Sequence, residues 1–182
     1  MITVSRRRVG PAAAQVLEQV RARGTAYRDE LATDTGFSLA TIGRAVGQLT
    51  AAGVLRECST RSRPRGIGRP GTPVEVDDAG YTTLGIQVGR TVVTVALGDL
   101  LGRVLVSDVV RREAGTPPDL EDASRRAARL LAQQPGRRPL TVGAAGAWRD
   151  LGLEAAEVAH QLGELTGLRV FVGDHVAAVA AA

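Results

Sequence analysis

The chain has 182 residues, 44% of them hydrophobic, enough for one ordinary domain or two small ones with buried cores. Its formal charge of +4 is unevenly spread: 12 Arg and 5 acids precede Pro70, whereas 11 Arg and 14 acids lie after it. An arginine-rich proteome explains the absence of Lys but not this segregation, which places a polyanion-binding surface in the first part. The single cysteine, Cys58, excludes an intrachain disulfide and a thiolate zinc cluster and fits a reducing, cytoplasmic interior. His160 and His175, the two histidines, lie in no nucleophile motif, so no catalytic residue, cofactor or metal is expected from the pattern.

Arg6, Arg7 and Arg8 open the chain, but Gln15, Glu18 and Gln19 interrupt the stretch from Pro11 onward, so no secretory segment is read there. No run approaches the ~20 apolar residues of a membrane span. Ala13, Val16, Leu17 and Val20 recur with helical period, and Pro11 suits a first turn, so a helix is expected from Pro11 to Arg23, ended by Gly24. A short helix is expected next, from Arg28 to about Asp34, turning Leu31 and Ala32 inward. Gly36 supplies the next turn and Ser38 an N-cap.

A third helix, Leu39 to about Ala52, puts Ile42, Ala45, Val46 and Leu49 on one face. Ala40, Arg44 and Gly47 lie opposite, flanked by Thr41 and Gln48. That outer face is small, polar and singly basic. It suits entry into a major groove, where Arg44 can grip guanine or phosphate and Thr41 and Gln48 can meet base edges or phosphates. One such helix alone reads equally as an ordinary solvated face; three at these spacings with a Gly-containing turn describe a helix-turn-helix reading double-stranded DNA.

Val54 to Glu57 and Val74 to Val76 read as strands around a Gly/Pro/Arg stretch, Ser59 to Pro73, which describes a wing. Arg61, Arg63, Arg65 and Arg69 are spaced through backbone that Pro64, Gly66, Gly68 and Pro70 keep extended and slim, as a minor-groove contact requires. A disordered interdomain linker is the alternative reading of the same composition, and the two coexist if the wing orders only on DNA. DNA binding is thus expected in residues 1–76.

Residues 77–182 form the second expected domain. Thr83 to Val88, Thr91 to Leu97 and Arg103 to Val110 read as an antiparallel meander. Beyond it come a helix from Leu120 to Ala132, a strand at Leu140 to Ala144, a helix from Leu153 to Thr166 and a strand at Arg169 to Val172, implying a mixed sheet covered by helices.

The order of motifs resembles the ROK family of sugar-responsive repressors and sugar kinases. The resemblance rests on Ser38-Leu-Ala-Thr-Ile-Gly-Arg44, Ala52-Gly-Val-Leu55, Gly68-Arg-Pro70 and Ala79-Gly-Tyr-Thr-Thr-Leu-Gly-Ile86. Further along the chain it rests on Val95-Ala-Leu-Gly-Asp-Leu-Leu-Gly102, Trp148-Arg-Asp150, which is similar to the family's helix entry, and Leu168-Arg-Val-Phe-Val172. It implies an α+β chain: a winged helix-turn-helix, then a ribonuclease H-like, actin-like ATPase half-domain with a mixed sheet. It also implies a sugar effector.

The departures argue against the family's kinase activity. Where its kinases carry an Asp-x-Gly-x-Thr phosphate loop, this chain has Gln87, Val88, Gly89, Arg90 and Thr91, so the magnesium-holding carboxylate is replaced by an amide. Its catalytic Asp aligns with His175, and Asp174 aligns with the preceding Asn; a one-residue slip would instead put Asp174 in the catalytic place, and a histidine can itself be a base. Between Val142 and Trp148, where the family carries a sugar-pocket loop and an extra hairpin, only Gly143, Ala144, Ala145, Gly146 and Ala147 remain. The family's second lobe, with its zinc cluster and adenine site, would lie beyond Ala182. A transcriptional regulator, acting as a repressor and not as an enzyme, is the expected function; the alternatives are a sugar kinase with a DNA-binding extension and a degenerate DNA-binding protein without effector response. Val170 to Val172 and the apolar tail after them are expected to be exposed and to promote self-association into a homodimer or higher oligomer, which suits a reader of two half-sites.

Overall fold

The computed structural model describes residues 10–58 and 71–174. The chain divides into two compact units, Met1–Gly80 and Tyr81–Ala182.

In the first unit, α1 (Pro11–Arg23) begins on a proline whose missing N–H costs a first turn nothing, and stops at Gly24, whose φ of 78° favours glycine. Its buried residues are Ala13, Val16 and Val20. Strand β1 (Thr25–Ala26) is an addition to the expected elements; two residues are too few for a sequence period to register. Helix α2 (Arg28–Thr35) starts where Glu30 accepts the Tyr27 amide at 3.1 Å and ends at Gly36. Helix α3 (Leu39–Ala51) starts at Ser38, whose Oγ accepts the Thr41 amide at 3.2 Å. It buries Ile42, Ala45, Val46 and Leu49, the face its period assigns inward. Strands β2 (Leu55–Glu57) and β3 (Val74–Val76) pair antiparallel, and β1 joins the free edge of β3 to give the order β1-β3-β2.

The second unit opens with β4 (Tyr81–Val88), β5 (Val92–Gly98) and β6 (Val104–Arg111), the expected antiparallel meander. Helix α4 (Leu120–Ala132), capped by the Asp119 carboxylate, leads to β7 (Arg138–Gly146), α5 (Ala155–Thr166) and β8 (Arg169–Asp174). The sheet order is β6-β5-β4-β7-β8, with β4, β7 and β8 parallel, so the sheet is mixed. Leu84, Ile86 and Val88 of β4 and Val93, Val95 and Leu97 of β5 share one core with Leu120, Ala127 and Leu130 of α4 and Val158 and Leu162 of α5. Both helices therefore cover one face.

The other face presents Thr83, Gly85, Thr94, Ala96, Gly143 and Ala145, with Val104, Val109 and Phe171 exposed. The structure extends or corrects three expectations. The strand expected over Leu140 to Ala144 runs from Arg138 through Gly146, because β4 and β8 bond it on both edges. The Trp148-Arg-Asp150 stretch is a pair of turns before α5, whose first residue is Ala155. Val170 and Val172 are half-buried against the core; Phe171 alone of the three is exposed, beneath the Arg169 guanidinium at 4.8 Å.

Candidate nucleic-acid interface

The outward side of α3 is set by its inward side. With Ile42, Ala45, Val46 and Leu49 buried, the helical period leaves Ala40, Arg44, Gly47 and Gln48 exposed and Thr41 half-buried. Ser38 holds the start of this face: its hydroxyl lies 3.0 Å from the Thr41 hydroxyl as well as accepting its amide. The three expected groove residues, Thr41, Arg44 and Gln48, and the capping Ser38 thus belong to one helix and its cap.

Charge separates Arg44 from its neighbours. Arg23 pairs with Asp34 at 2.6 Å, Arg28 with Glu57 at 2.7 Å and Arg56 with Glu75 at 2.8 Å. The Arg56 guanidinium is held above its usual pKa, first by the Glu75 hydrogen bond and charge. Among the described residues Arg44 and Gln48 have no such partner, so their donors face solvent.

The two glycines of α3 add to this contrast. Each costs helix stability of roughly 0.5–1 kcal/mol relative to Ala. Yet a Cβ added at Gly43 or Gly47 would meet nothing within 4 Å. Packing among the described residues does not require them.

Sequence reasoning missed Leu39. By period it belongs with Ile42, but among the described residues no element covers the first turn of α3, and Leu39 is 60% exposed. An exposed leucine beside Ala40 adds an apolar contact of the kind a thymine methyl accepts.

Arg61, Arg63, Arg65 and Arg69 lie outside the described residues, but the two ends of their segment are placed. The Cys58 amide donates to the Pro73 carbonyl at 2.9 Å, extending the β2–β3 hairpin by one pair. Arg28 then ties this stem to the start of α2, donating to the Thr72 carbonyl at 3.2 Å and to Glu57 at 2.7 Å. The segment therefore leaves and returns on a single antiparallel stem.

In the second unit, Gln87 lies near the end of β4 as an exposed side chain, and the Gly89 amide is committed to the Val92 carbonyl at 2.8 Å. His175 lies outside the described residues. Among those described there is no group of three His, Cys, Asp or Glu side chains placed to hold a metal, and no helix is long and apolar enough to cross a membrane.

No family model matches the sequence. The chain is 37% identical over 185 residues to the transcriptional regulator Rv0485 of Mycobacterium tuberculosis H37Rv, a match covering 94% of this chain and 42% of that protein. The transcriptional regulator Mb0495 of Mycobacterium bovis matches equally. The chain thus spans about two-fifths of the length of these relatives. Among solved structures, a ROK family transcriptional regulator, a homologue of the E. coli MLC protein, superposes with a TM-score of 0.68 at 18% identity, over 89% of this chain and 44% of that one. The chain is ROK-like: an α+β protein with the fold of a ROK family transcriptional regulator across both of its units.

Proposed function

We propose that this chain is the DNA-binding part of a transcriptional regulator, with Met1–Gly80 as a winged helix-turn-helix and α3 as its recognition helix. The observation that carries the reading is the outer face of α3, where Arg44 and Gln48 stand exposed and unpartnered among the described residues, beside glycines that internal packing does not need. Small residues let the helix axis approach the groove floor, Arg44 bonds guanine in bidentate fashion, and Thr41, Gln48 and Leu39 meet neighbouring edges. Ser38 fixes the first turn. Arg61, Arg63, Arg65 and Arg69 grip phosphates or the minor groove from the β2–β3 wing. The names of the mycobacterial relatives support the regulatory reading.

The regulator acts as a repressor and binds as a homodimer on two half-sites. The second unit works without phosphoryl transfer, because Gln87 offers an amide where a magnesium-binding carboxylate would be needed.

Selection of bound fragments from genomic DNA, with footprinting and a salt titration, tests the proposal. A selected two-fold site is expected, with half-sites one helical turn or a multiple apart. Arg44→Ala is expected to weaken binding by about 1–3 kcal/mol and to relax preference at one base position. A protein that selects no site, or an Arg44→Ala variant that binds as the parent does, would remove α3 from the reading role.

A further inference from the structure

Strand β6 stands at one end of the five-stranded sheet, so β5 alone pairs with it among the described residues. The Arg112 amide donates to the Thr91 carbonyl at 2.9 Å, which continues the β5–β6 ladder by one pair. Peptide groups alternate sides along an antiparallel strand. Val106, Asp108, Val110 and Arg112 therefore direct theirs to β5, while Ser107, Val109 and Arg111 turn theirs to the outer edge. A register shift opposite Gly98 confines the regular part of the strand to Val106 and beyond. The side chains of Ser107, Val109 and Arg111 are exposed, Val109 by 60%.

Sheet edges are ordinarily guarded by proline, lysine or an inward-pointing charge. Between Val106 and Arg112 there is no proline or lysine, and Asp108, on the helix-covered face, is neutralised by Arg126 of α4 at 2.8 Å. Among the described residues three of the six exposed large hydrophobics, Leu101, Val104 and Val109, lie in or just before β6. Exposed apolar residues beside unpaired backbone describe a surface that another strand can cover.

Pairing of β6 with itself about a two-fold axis satisfies this edge in one register. Residues opposite each other in an antiparallel pair share a face, so the axis must pass through a residue. With Val109 on the axis, Val109 meets Val109 of the second copy and Ser107 meets Arg111 on either side. That makes three pairs of outward-turned residues, each exchanging two backbone hydrogen bonds. Asp108 then lies opposite Val110 and Val106 opposite Arg112, so no like charges are opposed. An axis at Asp108 would set two carboxylates against each other, and an axis at Ser107 would bring the irregular segment around Leu105 into the seam.

We propose that the chain forms its homodimer by antiparallel pairing of β6 with β6 of a second copy about Val109, joining two five-stranded sheets edge to edge. The proposal names the surface of the homodimer stated above and rests on that reading, but it is tested without DNA. A monomeric chain would leave DNA reading by α3 standing, and a chain that binds no DNA would leave the seam standing.

Sedimentation of the full chain across roughly 5–500 μM, a range that brackets micromolar to submillimolar affinity, tests the pairing. A reversible monomer–dimer equilibrium is expected, since so short a seam buries less than a standard interface. Over the same range, amide exchange followed by NMR should slow at Ser107, Val109 and Arg111 and change little at Asp108 and Val110, which already bond β5. Val109→Lys, an exposed change, should raise the dissociation constant roughly tenfold or more, because two ammonium groups would then meet across the axis. Phe171→Lys, at an exposed residue of the opposite edge strand, should leave association unchanged. The proposal is overturned if the chain stays monomeric throughout, if the three amides do not slow as the dimer forms, or if Val109→Lys associates as the parent does. It is overturned equally if both variants weaken association alike, which would mark general apolar adhesion.

Discussion

The Trp148 indole Nε1 donates to the Gly173 carbonyl at 2.8 Å, joining the turn after β7 to the strand two elements later. The ring is 6% exposed and lies against Gly146, where an added Cβ would come 3.0 Å from two of its carbons. A ring anchored at its nitrogen and packed on its faces has little freedom to give way.

Gly146→Ala is therefore expected to destabilise the second unit by roughly 1–3 kcal/mol, the usual cost of forcing extra volume into a packed site. Because Trp148 is the only tryptophan, its fluorescence reports the change: urea denaturation should show a lower midpoint, and native emission should shift to the red. An unchanged midpoint with unchanged emission would mean that the turn relaxes at no cost.

Gly47→Ala should act in opposite directions on stability and on binding. The side chain is in open space on a helix, so the alanine should stabilise the first unit by about 0.5–1 kcal/mol. The same methyl would hold α3 away from the groove, so affinity for a selected DNA site should fall. Paired urea and DNA titrations measure both effects; DNA binding as tight as the parent's would mean that the glycine is not at the contact.

Asp99, in the β5–β6 turn, is 2% exposed, and its Oδ1 accepts the Leu101 and Arg103 amides at 2.9 Å each, while Oδ2 accepts Arg103 Nε at 2.7 Å. Burial pushes its pKa up, but the Arg103 amide, the Arg103 guanidinium and the Leu101 amide together outweigh it, and the carboxyl is held below its ordinary value. A pKa lower in the folded than in the unfolded chain stabilises fully above the unfolded value of about 4, and that stabilisation is lost as pH falls through the folded value. Asp99→Asn should cost about 1–3 kcal/mol at neutral pH and flatten this acid limb. Urea midpoints collected from neutral pH down through the acid limb would show it; parallel curves for the two proteins would contradict it.

The parts of the fold that are legible in the sequence are those with punctuation or a long period. Pro11 and Gly24 bracket α1 and Asp119 caps α4, so both ranges, Pro11–Arg23 and Leu120–Ala132, are readable from the residues. The face of α3 is readable because four buried residues fix it. The illegible parts depend on partners far along the chain. Strand β1 exists because β3, some fifty residues later, has a free edge. The continuation of β7 over Ala145 and Gly146, past the expected end at Ala144, comes from two neighbours, in a run of Gly and Ala with no hydrophobic alternation of its own. In the interface, the exposure of Arg44 and Gln48 is readable from period alone. The exposure of Leu39 and the Arg28 tie to Glu57 and Thr72 depend on which element covers which, and no local pattern encodes that.

The central position of β4 also sets an order of events in folding. Its antiparallel partner β5 begins four residues after it ends, whereas its parallel partner β7 begins at Arg138, opposite Tyr81. The hairpins close short loops and form fast; bringing β7 into register must close a loop of more than fifty residues and dock α4 across the meander on the way. Closing the β4–β7 seam is thus expected to be the slow step in folding the second unit, and until it closes the meander would hold an unpaired strand edge open to other chains.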